Sequence, residues 1–143
     1  MNRRLWQTAA AAAVLGIGLL VLARAPRSPD AGGAPSFTRV GRSGPVFTVS
    51  VPRARSGNEE YLMRVAEQLS REDRQSGGSG QISVMVWPDD VPVPREPPST
   101  EFDASMRTQI AGIFINPTRN IKHMIRFRDG ATVAERDFGT STR

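Results

Sequence analysis

The sequence predicts an α+β fold, in which an N-terminal transmembrane helix precedes a small two-layer β-α-β-β-β domain with one helix packed on a mixed sheet. Three observations predict it: an uncharged stretch near the N-terminus, several segments in which apolar and polar residues alternate, and one amphipathic segment. The chain has 143 residues, which leaves room for one modest domain. We therefore expect a shallow surface site and no deep internal one.

The stretch from Leu5 to Ala23 contains no charged residue, and arginines flank it on both sides. As a helix that rises about 1.5 Å per residue, it would span roughly 28 Å, close to the hydrocarbon thickness of a bilayer. It predicts a single membrane anchor within residues 1–25, with the N-terminus in the cytoplasm and the C-terminal domain outside it. The alternative is a signal peptide whose cleavage releases a secreted protein, although Pro26 disfavours cleavage after Ala25.

Residues 26–45 are rich in proline, glycine and serine and lack apolar periodicity. This composition is typical of a flexible linker. The chain is thus divided into the anchor, this linker, an α+β domain over residues 46–138, and a polar tail over residues 139–143.

The domain begins with a strand, a helix and a second strand. Val46–Val51 alternates in the manner of a strand. Ser56 and Glu59 match the S-x-x-E capping box and predict the start of a helix, whose apolar residues recur at helical spacing as far as Leu69. A glycine-rich turn leads to a strand over residues 81–87. This order places the two strands in parallel, with the helix over one face.

A long loop over Pro88–Ser105 follows, with five prolines and five acidic residues. Because prolines exclude a helix or an inner strand, we expect an exposed loop, and loops of this length are often functional. The candidate partner-binding residues in it are Asp89, Asp90, Pro94, Arg95 and Pro97, of which the last three belong to a P-x-x-P motif.

The sequence of the rest of the domain predicts a three-strand meander over residues 108–115, 121–128 and 132–138. Asp129-Gly130 predicts a two-residue type I′ turn between the last two strands. That turn would place Phe127 opposite Thr132, Ile125 opposite Ala134 and His123 opposite Arg136. The core-facing residues of the middle strand would be Ile121, Ile125 and Phe127, and the outward residues Lys122, Met124, Arg126 and Arg128.

Four basic residues, Arg119, Lys122, Arg126 and Arg128, would then lie on or beside the outward face of the meander. They form a candidate site for an anionic partner, although an ordinary solvated sheet face explains the same pattern. Most of the net charge of +5 comes from arginines around the apolar stretch. We therefore expect no nucleic-acid binding.

Cysteine is absent and His123 is the single histidine. This composition excludes disulfides and thiol chemistry, and it makes a zinc site of the usual His/Cys type improbable. The loop acids lack the regular spacing of a calcium-binding loop. The sequence predicts no cofactor and no metal.

No part of the chain carries a catalytic constellation, and we do not expect an enzyme. The domain is interpreted as a protein-interaction or scaffolding module of the cell envelope, which contacts the membrane through residues 5–23 and binds an envelope protein. The alternative is a small secreted or periplasmic hydrolase that uses His123 and the loop carboxylates.

Overall fold

The computed structural model describes residues 33–100 and 103–139, which form a small α+β domain with a six-stranded mixed sheet and one α-helix. The predicted membrane anchor over residues 5–23 lies outside the described residues, as do residues 140–143 of the predicted tail. Within the described part of the chain, no helix has the length and apolar character needed to cross a membrane.

The sheet order follows the chain, and each strand pairs with its sequence neighbour. The strands are β1 (Thr38–Ser43), β2 (Val46–Val51), β3 (Ile82–Pro88), β4 (Ala111–Asn116), β5 (Ile121–Arg128) and β6 (Ala131–Asp137), and helix α1 spans Glu59–Gln75. Two short 3-10 helices cover Arg53–Arg55 and Ala104–Arg107. As predicted, β2 and β3 are parallel, and the other four pairs are antiparallel.

The observed order is β-β-α-β-β-β-β, whereas the predicted overall order was β-α-β-β-β. The predicted meander already brings the individual predicted segments to five strands, and the sixth strand, β1, precedes β2. Strand β1 lies inside the range predicted as linker, so the folded domain begins before Val46. Strand β1 lacks the apolar alternation that would have predicted it, since arginine side chains attach it to the domain. The guanidinium groups of Arg39 and Arg42 stack on the Phe47 ring and pair with Glu72 and Asp73 of α1.

The core lies between α1 and one face of the sheet. The helix contributes Leu62, Val65, Ala66 and Leu69, all fully buried, as the amphipathic pattern predicts. The sheet contributes Phe47, Val49, Val51, Ile82, Val84, Val86, Ala111, Ile113, Ile115 and Met124. Each large side chain buried in this way contributes about 1.5–3 kcal/mol to stability.

The predicted capping box is wrong, although a helix does begin close to it, at Glu59. The N-cap is Asn58, whose side-chain oxygen accepts the Tyr61 amide hydrogen at 2.9 Å. Ser56 instead follows the first 3-10 helix, and its hydroxyl donates to the Arg53 carbonyl at 2.8 Å. The preceding 3-10 turn therefore occupies Ser56 and moves the cap two residues along the chain.

The β5–β6 hairpin begins in the predicted register, with Phe127 opposite Thr132. A β-bulge then leaves Val133 without a partner and shifts all later pairs by one residue. His123 consequently pairs with Asp137, and the predicted partner Arg136 is wrong. For the same reason Ile125 pairs with Glu135 and not with Ala134.

The two faces of β5 are the reverse of the prediction. Met124 is fully buried in the core, and Lys122 and Arg126 lie on the same face of the strand. Their long side chains reach polar groups beside α1: the Lys122 ammonium pairs with Glu67 at 2.6 Å, and Arg126 donates to the Ser56 carbonyl at 2.9 Å. Basic residues at this sheet margin therefore face the helix layer and are not directed away from it.

Asp73 ties the end of α1 to the following turn and to β1. Its carboxylate accepts the Gly80 amide hydrogen at 2.9 Å and the Arg42 guanidinium at 2.6 Å. These hydrogen bonds, the Gly80 one foremost, lower the pKa of Asp73. Gly78 packs so closely on this carboxylate that a Cβ there would come within 2.2 Å of it. The glycine-rich turn predicted from the sequence is therefore confirmed, and it is built around one acid.

We predict that Asp73→Asn lowers the free energy of unfolding at neutral pH by roughly 1–2 kcal/mol, because it removes the charged acceptor of two hydrogen bonds. Since folding lowers the Asp73 pKa, this stabilisation is complete above the ordinary value of 3.8 and is lost as the pH falls through the lowered pKa. Denaturant unfolding across the acid range would measure it.

Glu72→Gln is the matched control, since Glu72 is the adjacent acid and its pair with Arg39 is far more exposed. It should change stability by about 0–1 kcal/mol. If the difference in the free energy of unfolding between wild type and Asp73→Asn stayed constant down to the acid transition, the role assigned to Asp73 would be contradicted.

Candidate functional site on the open face of the sheet

The face of the sheet opposite α1 is divided into a covered half and an open half. The loop after β3 crosses the covered half, where Thr48 and Trp87 are fully buried. The Trp87 indole donates to the Ser105 carbonyl at 2.8 Å. Over β1, the Arg95 carbonyl lies directly against Gly41, where a Cβ would come within 1.7 Å of its oxygen. The long loop is therefore packed on its own domain.

The candidate loop residues are mostly engaged within the domain. Asp89 accepts the Arg53 amide hydrogen at 3.1 Å, and Asp90 accepts the Arg53 guanidinium at 2.7 and 2.9 Å. The Arg53 hydrogen bonds hold the pKa of Asp90 below its ordinary value. Pro94 and Pro97 are half-buried, and the Arg95 side chain is exposed. The two acids thus fasten the start of the loop to the residues after β2.

The four basic candidates do not form one patch. Arg119 precedes β5 and Arg128 ends it, so the length of an eight-residue strand, roughly 25 Å, separates them. Lys122 is paired with Glu67 of α1. Arg126 and Arg128 instead lie near the β5–β6 turn, where Arg53 and Arg107 join them around one cleft.

The open half of this face carries an apolar depression of about 280 Å³. We call it the open-face depression; its apolar lining is Met85, Met106, Gly112, Phe114, Ile125 and Phe127. Each of these residues is partly exposed. Gly112 forms the floor because it has no side chain, and a Cβ there would touch the Phe127 ring at 3.4 Å. The volume lies just below the roughly 300–1,000 Å³ of small-molecule sites, which fits a protein side chain better than a large cofactor.

Two acids from β6 stand beside the depression. The His123 Nδ1 atom lies 2.6 Å from the Asp137 carboxylate, and its Nε2 atom lies 3.9 Å from Glu135. Both carboxylates are more than half exposed, whereas His123 is about one third exposed. Sequence reasoning missed these neighbours because the register without the bulge placed Arg136 there. The signal for the depression itself was present in β3, where apolar residues occur on both faces.

The chemistry of the open-face depression is that of an apolar binding surface with an acidic margin. Among residues 33–100 and 103–139, no cluster of three or more metal-ligating side chains occurs. The hydrogen bonds of His123 and of the acids Asp89 and Asp90 go to different partners. The arrangement can therefore desolvate an apolar group and attract a cation beside it.

The fold and this surface define a small α+β domain with one partly uncovered sheet face. No protein-family model, no curated protein and no solved structure matches the chain.

We predict that Gly41→Ala displaces the loop from β1, because the added methyl group overlaps the Arg95 carbonyl. Overpacking of this kind lowers stability by about 1–3 kcal/mol. Hydrogen exchange should show faster exchange over residues 91–98, with α1 unchanged. Gly57→Ala is the control, since that position has open space around it. If the loop amides were equally protected from exchange in both variants, the packing of Arg95 on Gly41 would be contradicted.

Proposed function

We propose that the domain is a protein-interaction module of the cell envelope, and that the open-face depression receives an apolar side chain of a partner protein. The observation that carries the proposal is the set of partly exposed apolar side chains on β3, β4 and β5, which together with Met106 line the depression. A concave apolar surface with a few polar groups at its margin is the usual form of a binding site for an apolar group.

The residue types around the depression favour a peptide segment as the occupant. Met85 and Met106 have flexible, polarisable side chains that adapt to different apolar shapes. Phe114 and Phe127 supply aromatic area, which is enriched where binding energy concentrates. A partner therefore needs one bulky apolar residue that can enter between them.

The acidic margin adds a requirement on charge. Glu135 and Asp137 are exposed beside the depression, and only Asp137 contacts His123 closely. A basic residue next to the apolar anchor of the partner would complement them. The occupant is thus a segment with an apolar residue flanked by arginine or lysine.

The location in the envelope is proposed from the uncharged stretch over residues 5–23. Its length and flanking arginines support an anchored domain on the outer side of the cytoplasmic membrane. Release by cleavage of a signal peptide is the alternative. In either case the domain meets its partner outside the cytoplasm.

Selection from a displayed library of random peptides tests the proposal on the full chain in an uncharged detergent. We predict enrichment of peptides in which a bulky apolar residue is flanked by arginine or lysine. Ile125→Thr should weaken their binding by roughly tenfold or more, because it removes apolar area from the depression and retains a β-branched residue suited to the strand.

Val133→Thr is the matched control, since Val133 is 52% exposed and lies on β6 outside the depression. It should leave the binding of the selected peptides unchanged. Glu135→Gln should reduce the preference for a basic flank. Selected peptides that bind Ile125→Thr as well as wild type would refute the open-face site.

The hydrolase alternative receives support from one contact, since Asp137 orients the His123 ring in the manner of a general base. Among the described residues that line the depression, Ser83 is the hydroxyl residue, and it lies two strands away from His123, a distance of roughly 10 Å, which is too far for His123 to activate it. This alternative predicts hydrolysis of a chromogenic ester that is lost in both His123→Ala and Asp137→Asn. Absence of that activity in the wild-type chain would dispose of it.

A further inference from the structure

A larger cleft lies where the β5–β6 turn meets the second 3-10 helix and the residues that precede α1, and it adjoins the open-face depression at Gln109 and Phe127. It has a volume of about 800 Å³. We call it the arginine cleft, because Arg53, Arg107, Arg126 and Arg128 line it. The acids that line it are Glu59 and Asp129. Gly130 of the turn lies beside Arg107 and brings the two segments together.

The charges in the cleft differ in how far the domain already neutralises them. Arg53 is paired with Asp90, and Glu59 is paired with Arg136. In contrast, Arg107 and Arg128 are exposed, and neither guanidinium has a hydrogen bond or an ion pair to any described residue. Two cations are therefore available to a ligand in the same cleft.

The inner wall of the cleft contains a guanidinium N–H donor that the domain leaves without an acceptor. Arg126 donates from Nη2 to the Ser56 carbonyl, but its Nη1 atom is shielded from solvent and has no acceptor. Burial also lowers the pKa of Arg126. A half-buried guanidinium that lacks an acceptor is stabilised by an anion placed near it.

We propose that the arginine cleft binds a phosphate group, with Arg107 and Arg128 as its direct ligands and Arg126 adding positive potential from the inner wall. Guanidinium groups match phosphate geometry through paired N–H donors. A phosphate monoester offers three free oxygens and a larger charge than a carboxylate. A phosphodiester offers two free oxygens on a tetrahedral phosphorus, so either form can engage arginines from two segments at once. The bearer is either a soluble organic phosphate or the headgroup of an anionic phospholipid.

The test uses the full chain in an uncharged detergent and titrates it with three probes: inorganic phosphate, glycerol phosphate and monomeric dihexanoylphosphatidylglycerol. Nuclear magnetic resonance of the arginine Nε groups should show saturable shifts at Arg107 and Arg128. Binding of either soluble phosphate supports a soluble ligand, and binding of the short-chain lipid supports a headgroup. The double variant Arg107→Gln/Arg128→Gln should weaken binding at least about tenfold, the loss expected for one charge-assisted hydrogen bond.

The matched control is Arg71→Gln/Arg119→Gln, which removes the same charge at two exposed arginines outside the cleft. It should change affinity less than about twofold, as expected for distant charges screened by salt. Equal losses in both double variants would show general attraction to a basic protein and overturn the proposal. So would the absence of binding by all three probes, or binding of an acidic peptide in the cleft when the phosphates do not bind.

Because the proposal involves no residue that supplies an apolar wall to the open-face depression, its failure leaves the peptide-binding function untouched. Ile125→Thr should bind the phosphate probes with wild-type affinity. Loss of phosphate binding in that variant would place the ligand at the depression and contradict the assignment to the cleft.

Discussion

Within residues 33–100 and 103–139, a single α-helix has to cover a six-stranded sheet, and the rest of the domain depends on this constraint. Helix α1 buries one face and contributes its apolar side to the core, which leaves the opposite face without a second layer of helices. The loop after β3 covers about half of this face. It buries Trp87, whose indole donates a hydrogen bond to the Ser105 carbonyl. The remaining half, over β4 and β5, stays partly exposed. The open-face depression therefore lies where the connection between β3 and β4 contributes only its last residues, Met106 and Gln109, to the cover of the sheet.

Arginine side chains complete the domain where apolar residues are scarce. On one side of the sheet, Arg39 and Arg42 attach β1 to α1 through ring stacking and ion pairs. On the other side, Arg126 hydrogen-bonds the segment before α1, and Arg136 pairs with Glu59. Their apolar stems cover core margins while their charged ends reach polar groups. This explains how a small domain without cysteine joins its outer strands to its only α-helix within the described residues.

The sequence predicted the parts of the fold that depend on local pattern. The alternation in β2 and β3, the amphipathic face of α1 and the Asp129-Gly130 turn were sufficient to place the parallel pair and the last hairpin. The bulge at Val133 was not predictable, because no residue there requires it. That single insertion decides which acids neighbour His123. The position of β1 was also missed, since its stabilising contacts with α1 are distant in sequence. For the candidate site, the sequence of β3 already has apolar residues on both faces of the strand. Only the tertiary structure shows which half of the sheet face the loop leaves open.

Each outer strand of the sheet contains a bulge, at Val40 in β1 and at Val133 in β6. A regular edge offers a continuous row of free backbone groups to any extended chain, whereas a bulge interrupts that row and twists the strand. Charged residues such as Arg39 and Glu135 strengthen the effect. The sheet is therefore poorly suited to lengthening by addition of strands from other copies. Two domains held close together can thus remain separate folded units, even though each displays an apolar face.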